Sequence, residues 1–109
     1  MFIAMNRFRV KKGSEQAFEN VWLTRESHLD SLPGFIEFHM LRGPDLGEVT
    51  LYASHTVWAS RAHFEAWTKS EAFRMAHKNA GNNGVLYDGH PQFEGFEVFQ
   101  TVKAAKSAA

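Results

Sequence analysis

The apolar positions of this chain change period, from two to about 3.6 and back, in the order strand, helix, strand, strand, helices, strand. Phe2 to Val10 alternates, with Phe2, Ala4, Asn6, Phe8 and Val10 on one side and Ile3, Met5, Arg7 and Arg9 on the other. Asn6 falls on the more apolar side, where an unpartnered carboxamide costs about 1–3 kcal/mol, so the reading expects it to be bonded. After the Lys11-Lys12-Gly13 turn, Ser14 is placed to cap a helix reaching about His28, with Ala17, Phe18, Val21, Trp22 and Arg25 as its inward stripe. Pro33 and Gly34 stop it. Phe35 to Arg42 and Glu48 to Trp58 read as a hairpin of two strands around Gly43 to Gly47. Gln92 to Val102 reads as the last strand, with Gly95 as its bulge.

This order is that of an α+β, ferredoxin-like split βαβ domain: a four-stranded antiparallel sheet with helices on one face. The expected domain spans 1–102, followed by a frayed tail at 103–109. With 44% hydrophobic residues and ten Phe among 109, the chain has enough apolar surface for a core, a pocket and a partner. The uncovered sheet face predicts a homodimer.

Ser60 to Ala80 holds most of the candidate chemistry. Ser60 is a good N-cap, and Ser70 is a second, because an interior serine competes for backbone hydrogen bonds. Two short helices with a break near Thr68 to Ser70 follow, and Phe73 and His77 share a face of the second. A histidine near a helix C-terminus is explained by the dipole alone, Trp67 by core packing, and Asn6 by a backbone bond. The alternative is that all three face one space between helices and sheet.

Other readings are weaker. Zero cysteines exclude disulfides and thiolate chemistry, and a net charge of zero without a basic stripe argues against nucleic acid. The N-terminus carries no basic leader and no long apolar run, so the expectation is a cytoplasmic protein without a membrane span. Counting from a turn near Asp45 puts His39 opposite about position 51, two rungs from His55, too far for a shared metal ion. No phosphate loop, dinucleotide fingerprint or HExxH motif occurs. Residues 78–91, with three Gly and one Pro, read as a long loop or lid.

Several segments together resemble the IsdG-type haem-degrading monooxygenases, within the antibiotic-biosynthesis monooxygenase (dimeric α+β barrel) superfamily. They are Ala4-Met5-Asn6-Arg7, Leu32-Pro33-Gly34-Phe35, Thr56-Val57-Trp58, and above all Phe64-Glu65-Ala66-Trp67 with Lys69 to Phe73 and Ala76-His77-Lys78. The likeness runs over about residues 1–80 and resumes in the last strand, but not between Ala80 and Gln92. It implies that haem is substrate and cofactor together, that His77 is the iron ligand, and that Asn6 is a distal hydrogen-bond donor. It also implies that Trp67 distorts the macrocycle, with Phe73 and Arg25 against the bound ring and Arg25, Arg7 or Arg9 meeting the propionates. Dioxygen and an external electron donor, such as a reductase or ascorbate, are implied, and the proteobacterial HmuQ-like branch points to a biliverdin-like product. A cofactor-free quinol or aromatic polyketide monooxygenase and a non-catalytic haem-binding protein are the alternatives.

Overall fold

The structure, a computed structural model, describes residues 1–25, 28–71, 73–74 and 86–105. Its elements are β1 (Phe2–Lys11), α1 (Glu15–Thr24), a 3₁₀ turn (Leu29–Ser31), β2 (Phe35–Asp45), β3 (Val49–Trp58), α2 (Arg61–Thr68) and β4 (Tyr87–Glu97). The strands form one antiparallel sheet in the order β2-β3-β1-β4. This is the expected α+β, ferredoxin-like arrangement.

The alternation in β1 sends Phe2, Ala4, Phe8 and Val10 under the helices, and all four are buried. Two separate clusters result. Phe2, Ala4, Leu29 and Trp58 form one, against which Phe64 and Trp67 of α2 pack. Phe8, Val10, Phe18 and Tyr52 form the other, against which Trp22 of α1 packs. Each helix therefore sits on its own cluster. Burying rings as large as Phe18 and Trp58 is worth a few kcal/mol each, about 1.5–3 for a phenylalanine.

Polar groups hold α1 in place. Arg42 on β2 makes two hydrogen bonds to the Glu19 carboxylate, each 2.8 Å, and the Tyr52 hydroxyl donates to it at 2.5 Å. Thr50 donates to Glu15 at 2.9 Å. The Arg42 bonds, then the Tyr52 bond, hold the Glu19 pKa below its ordinary value.

Several boundaries differ from the sequence reading. α1 ends at Thr24 rather than near His28, because Arg25 is extended and His28 adopts a left-handed conformation (φ 57°) that turns Leu29 into the core. Ser14 makes no side-chain cap; the Glu15 carboxylate accepts the Gly13 N–H instead, at 2.8 Å. β4 begins at Tyr87, so residues 87–91 belong to a strand, while 78–85 of the expected loop lie outside the described residues. β4 also ends at Glu97, not Val102. Its irregularity lies opposite Arg7 to Arg9, between Asp88 and Gln92, where Pro91 sits on an edge strand that needs no N–H from it. Gly95 pairs regularly with Ala4 and is glycine for another reason: a Cβ there would sit 2.7 Å from the Phe2 ring. In β2 a slip between Phe35 and Glu37 leaves Ile36 exposed, and Phe35 packs edge-on against Trp58. The β2–β3 hairpin turns later than Asp45, so His39 directly faces His55, with ring centroids 5.7 Å apart. Among the described residues no three His, Cys, Asp or Glu side chains form a metal site, and no helix is long and apolar enough to cross a membrane.

Two predictions follow from these contacts. Gly34 has φ +80°, and a Cβ there would lie 2.2 Å from His63 Cγ. Gly34→Ala is expected to lower stability by about 2 kcal/mol or more in urea unfolding. Adding His63→Ala should recover only part of this, because the Ala Cβ at 63 still lies 2.6 Å from the new methyl and roughly 1 kcal/mol of backbone strain remains. A depressed carboxylate lends stability at neutral pH that is lost as pH falls through its folded-state value. Glu19→Gln should therefore flatten the loss of stability below the ordinary glutamate value of 4.5, measured by unfolding across acid pH. An acid limb as steep as that of the wild type would show that this clamp does not govern it.

Candidate functional site

The two buried clusters are separate at the sheet and are bridged above it, where Trp22 stacks on Phe38 with ring centroids 5.9 Å apart. Between the two clusters, on the helix side of the sheet, lie Asn6 of β1 and its cross-strand partner Ser54 of β3, with Thr56 one rung further along β3. Side chains on one face of adjacent strands stand close enough to share a contact. Here the shared wall is polar, whereas the rungs on either side carry Phe2, Phe8, Tyr52 and Trp58.

Two adjoining cavities with shared walls open over this rung. The outer is about 370 Å³ and is lined by Asn6, Phe18, Trp22, Arg25, Phe64, Trp67, Phe73, Tyr87 and Phe93, among others. The inner is about 210 Å³ and runs under Phe64 and Trp67 to Ala4, Ser54 and Thr56. Asn6, Trp22, Arg25, Phe64 and Trp67 line both. Together they fall within the ordinary range of small-molecule sites, about 300–1,000 Å³.

The walls are flat rings. Phe64 stacks on Phe93 with centroids 5.5 Å apart and planes 11° from parallel, and Phe73 meets Trp67 edge-on at 4.9 Å. Local sequence chemistry sets up that last pair. The Ser70 hydroxyl donates to the Trp67 carbonyl at 2.6 Å and accepts the Phe73 N–H at 3.1 Å, so α2 stops and a new helical turn begins with both rings on the cavity. Ser60 caps α2 as expected, accepting the His63 N–H at 3.2 Å.

Arg25 provides the charge. As the residue that ends α1, it lays its guanidinium 4.1 Å from the centre of the Trp22 ring. Burial lowers its pKa from the ordinary guanidinium value, yet a guanidinium stays protonated. Among the described residues, no Asp or Glu lines either cavity. The site is therefore suited to a flat, apolar ligand that carries an anionic group and accepts hydrogen bonds at one edge or face.

Asn6, Trp67, Phe73 and Arg25 are thus brought onto one cavity. His77 lies outside the described residues. The bond expected for Asn6 does not appear: its carboxamide faces the cavities rather than another described side chain. Arg7 and Arg9 point to the opposite sheet face, where Arg7 pairs with Glu94 at 2.6 Å, so neither reaches this site. Sequence reasoning did not single out Ser54, Thr56 or Phe93 as site residues, and quoted Thr56 only within the Thr56-Val57-Trp58 segment. The parity that places Trp58 inward also places Thr56 and Ser54 inward, and that signal was present in β3.

Residues 1–79 match the antibiotic biosynthesis monooxygenase family. The chain belongs to that family. Among curated relatives of this family member, a staphylobilin-producing heme oxygenase of Staphylococcus haemolyticus is 34% identical over 79 residues, covering 72% of this chain and 75% of that protein. A staphylobilin-producing heme oxygenase of Staphylococcus epidermidis is 35% identical over 86 residues, covering 76% and 79%. The heme-degrader MhuD of Mycobacterium tuberculosis, solved with two hemes in its active site, is 28% identical with a TM-score of 0.72, over 94% of this chain and 100% of that one. SnoaB of Streptomyces nogalater, a cofactor-independent oxygenase, shares the fold of this family member at 21% identity and a TM-score of 0.67, over 94% and 97% of the two chains.

Proposed function

We propose that this monooxygenase family member is an IsdG-type haem oxygenase, opening the porphyrin ring with dioxygen and electrons from an external donor such as a reductase or ascorbate. Iron and a linear tetrapyrrole leave as products. The observation that carries this reading is one cavity that joins Asn6, Trp67, Phe73 and Arg25, walled by aromatic rings and, among the described residues, without a carboxylate. Relatives at 34% and 35% identity that are heme oxygenases support it, as does the likeness to MhuD.

Haem supplies the oxygen-activating iron when bound. The chain's own residues do the rest. His77 is the ligand to that iron in this reading. Aromatic walls contributed by both helices and β4 exclude water and hold a flat ring. Trp67 bears on the ring and biases its shape. Arg25 offers a propionate charge-assisted hydrogen bonds, which are stronger than neutral ones. Asn6 presents an amide from the sheet wall to a group that develops negative charge, a donor fixed in position before reaction.

The homodimer belongs to the same proposal. The sheet face away from the helices carries Ile3, Met5, Leu41 and Phe96, the last two well exposed. A second copy of the face would cover them.

Hemin added to the purified protein should give a Soret band that His77→Ala loses. Ascorbate in air should bleach that band, with mass analysis of the pigment telling a biliverdin-like product from a staphylobilin. Asn6→Ala is expected to keep the band and slow bleaching by about 100-fold or more. A band that persists under ascorbate supports a haem-binding protein without chemistry. If no band forms and a quinol or polyketide is oxidised instead, the chain works as a cofactor-free oxygenase. Met5→Glu should convert the dimer to a folded monomer in sedimentation; a dimer that survives places the interface elsewhere.

A further inference from the structure

The inner cavity has a floor to which the family resemblance assigns only Asn6. Ser54 is 5% exposed and Thr56 is 7% exposed, and both line that cavity. Among the described residues, neither hydroxyl has a hydrogen-bond partner, and neither does the Asn6 carboxamide opposite Ser54. None of these atoms is sealed away from solvent; they open onto the cavity, so their bonds are left for water or a guest in that space to make. A cavity of about 210 Å³ has room for a small ligand, or for several waters at about 30 Å³ each.

The chemistry of that guest is set by what faces it. Asn6 offers an amide with two N–H donors, Ser54 a hydroxyl that rotates to donate, and Arg25 a cation at the rim. Among the described lining residues no carboxylate faces it to attract a cation. The floor thus suits a small group rich in lone pairs, anionic or becoming so. Because Asn6 and Ser54 are direct cross-strand partners, their side chains lie close enough to hold two atoms of one small molecule, or one atom between them.

We infer that Ser54 is a second ligand-binding residue beside Asn6, donating its hydroxyl hydrogen to the small oxygen-bearing or anionic group held on the sheet side of the substrate ring. Thr56 extends the same floor. This inference rests on the haem reading above, and the test separates the two.

The probe is azide, a small anion that accepts hydrogen bonds, titrated into the ferric haem-loaded protein and followed by the Soret shift. Ser54→Ala should raise the azide dissociation constant about 3- to 10-fold, the loss of one hydrogen bond, while Ser54→Thr should stay near the wild type. The haem-free Ser54→Ala protein should unfold at an unchanged or higher temperature, since its hydroxyl has no bond to lose within the fold. An azide constant within about 2-fold of the wild type, with haem bound, overturns the inference and leaves the haem reading intact. A lowered unfolding temperature overturns it too, because the hydroxyl would then be bonded internally. A wild-type protein that takes up no haem removes both.

Discussion

One interruption in the apolar face of the sheet organises the site. Where Phe2, Phe8, Tyr52 and Trp58 would otherwise meet across the centre, the chain places Asn6 and Ser54 opposite each other. Neither side chain can close an apolar core, so the buried clusters on either side stay separate at the sheet and each recruits its own helix, with Trp22 and Phe38 stacked as the bridge above. The cavity is the space this leaves. Its rings come from α1, α2 and β4, and its floor from two adjacent strands.

Charge is arranged around the same plan. Glu19, Arg42 and Tyr52 tie α1 to β2 and β3, and Glu15 ties its first turn to Thr50, all away from the cavity. Isolated surface pairs such as Arg61 with Glu65 are worth about 0–1 kcal/mol, but a bidentate Arg–carboxylate pair that also takes a tyrosine hydroxyl fixes direction as well as energy. With its first turns held, α1 presents Trp22 and Arg25 at its far end. Among the described residues the cavity keeps one cation stacked on an indole and no opposing carboxylate, a balance that favours an anionic ligand.

Legibility followed the range of the interactions. The break after α2 could be read because Ser70 acts on Trp67 and Phe73, its neighbours in sequence. Asn6 was noticed because alternation in β1 marks a polar residue on an apolar side. The bulge in β4 was misplaced at Gly95, since a slip is a property of two paired strands and Gly95 answers instead to the Phe2 ring. His39 and His55 were separated for the same reason: their register depends on where the hairpin turns and slips. Ser54 looked like an ordinary strand residue until its partner was known.

The amino-acid order by itself determined the strand and helix succession, the inward face of β1 and the helix caps at Ser60 and Ser70. Those depend on side-chain periodicity and on bonds between residues three or four apart. Only the tertiary structure decided that Asn6 faces Ser54, that Arg25 rests on Trp22 beside Trp67 and Phe73, and that a hollow remains among them. Strand register and the spacing of two helices on two clusters arise from contacts between residues far apart in the chain, and no local pattern encodes them.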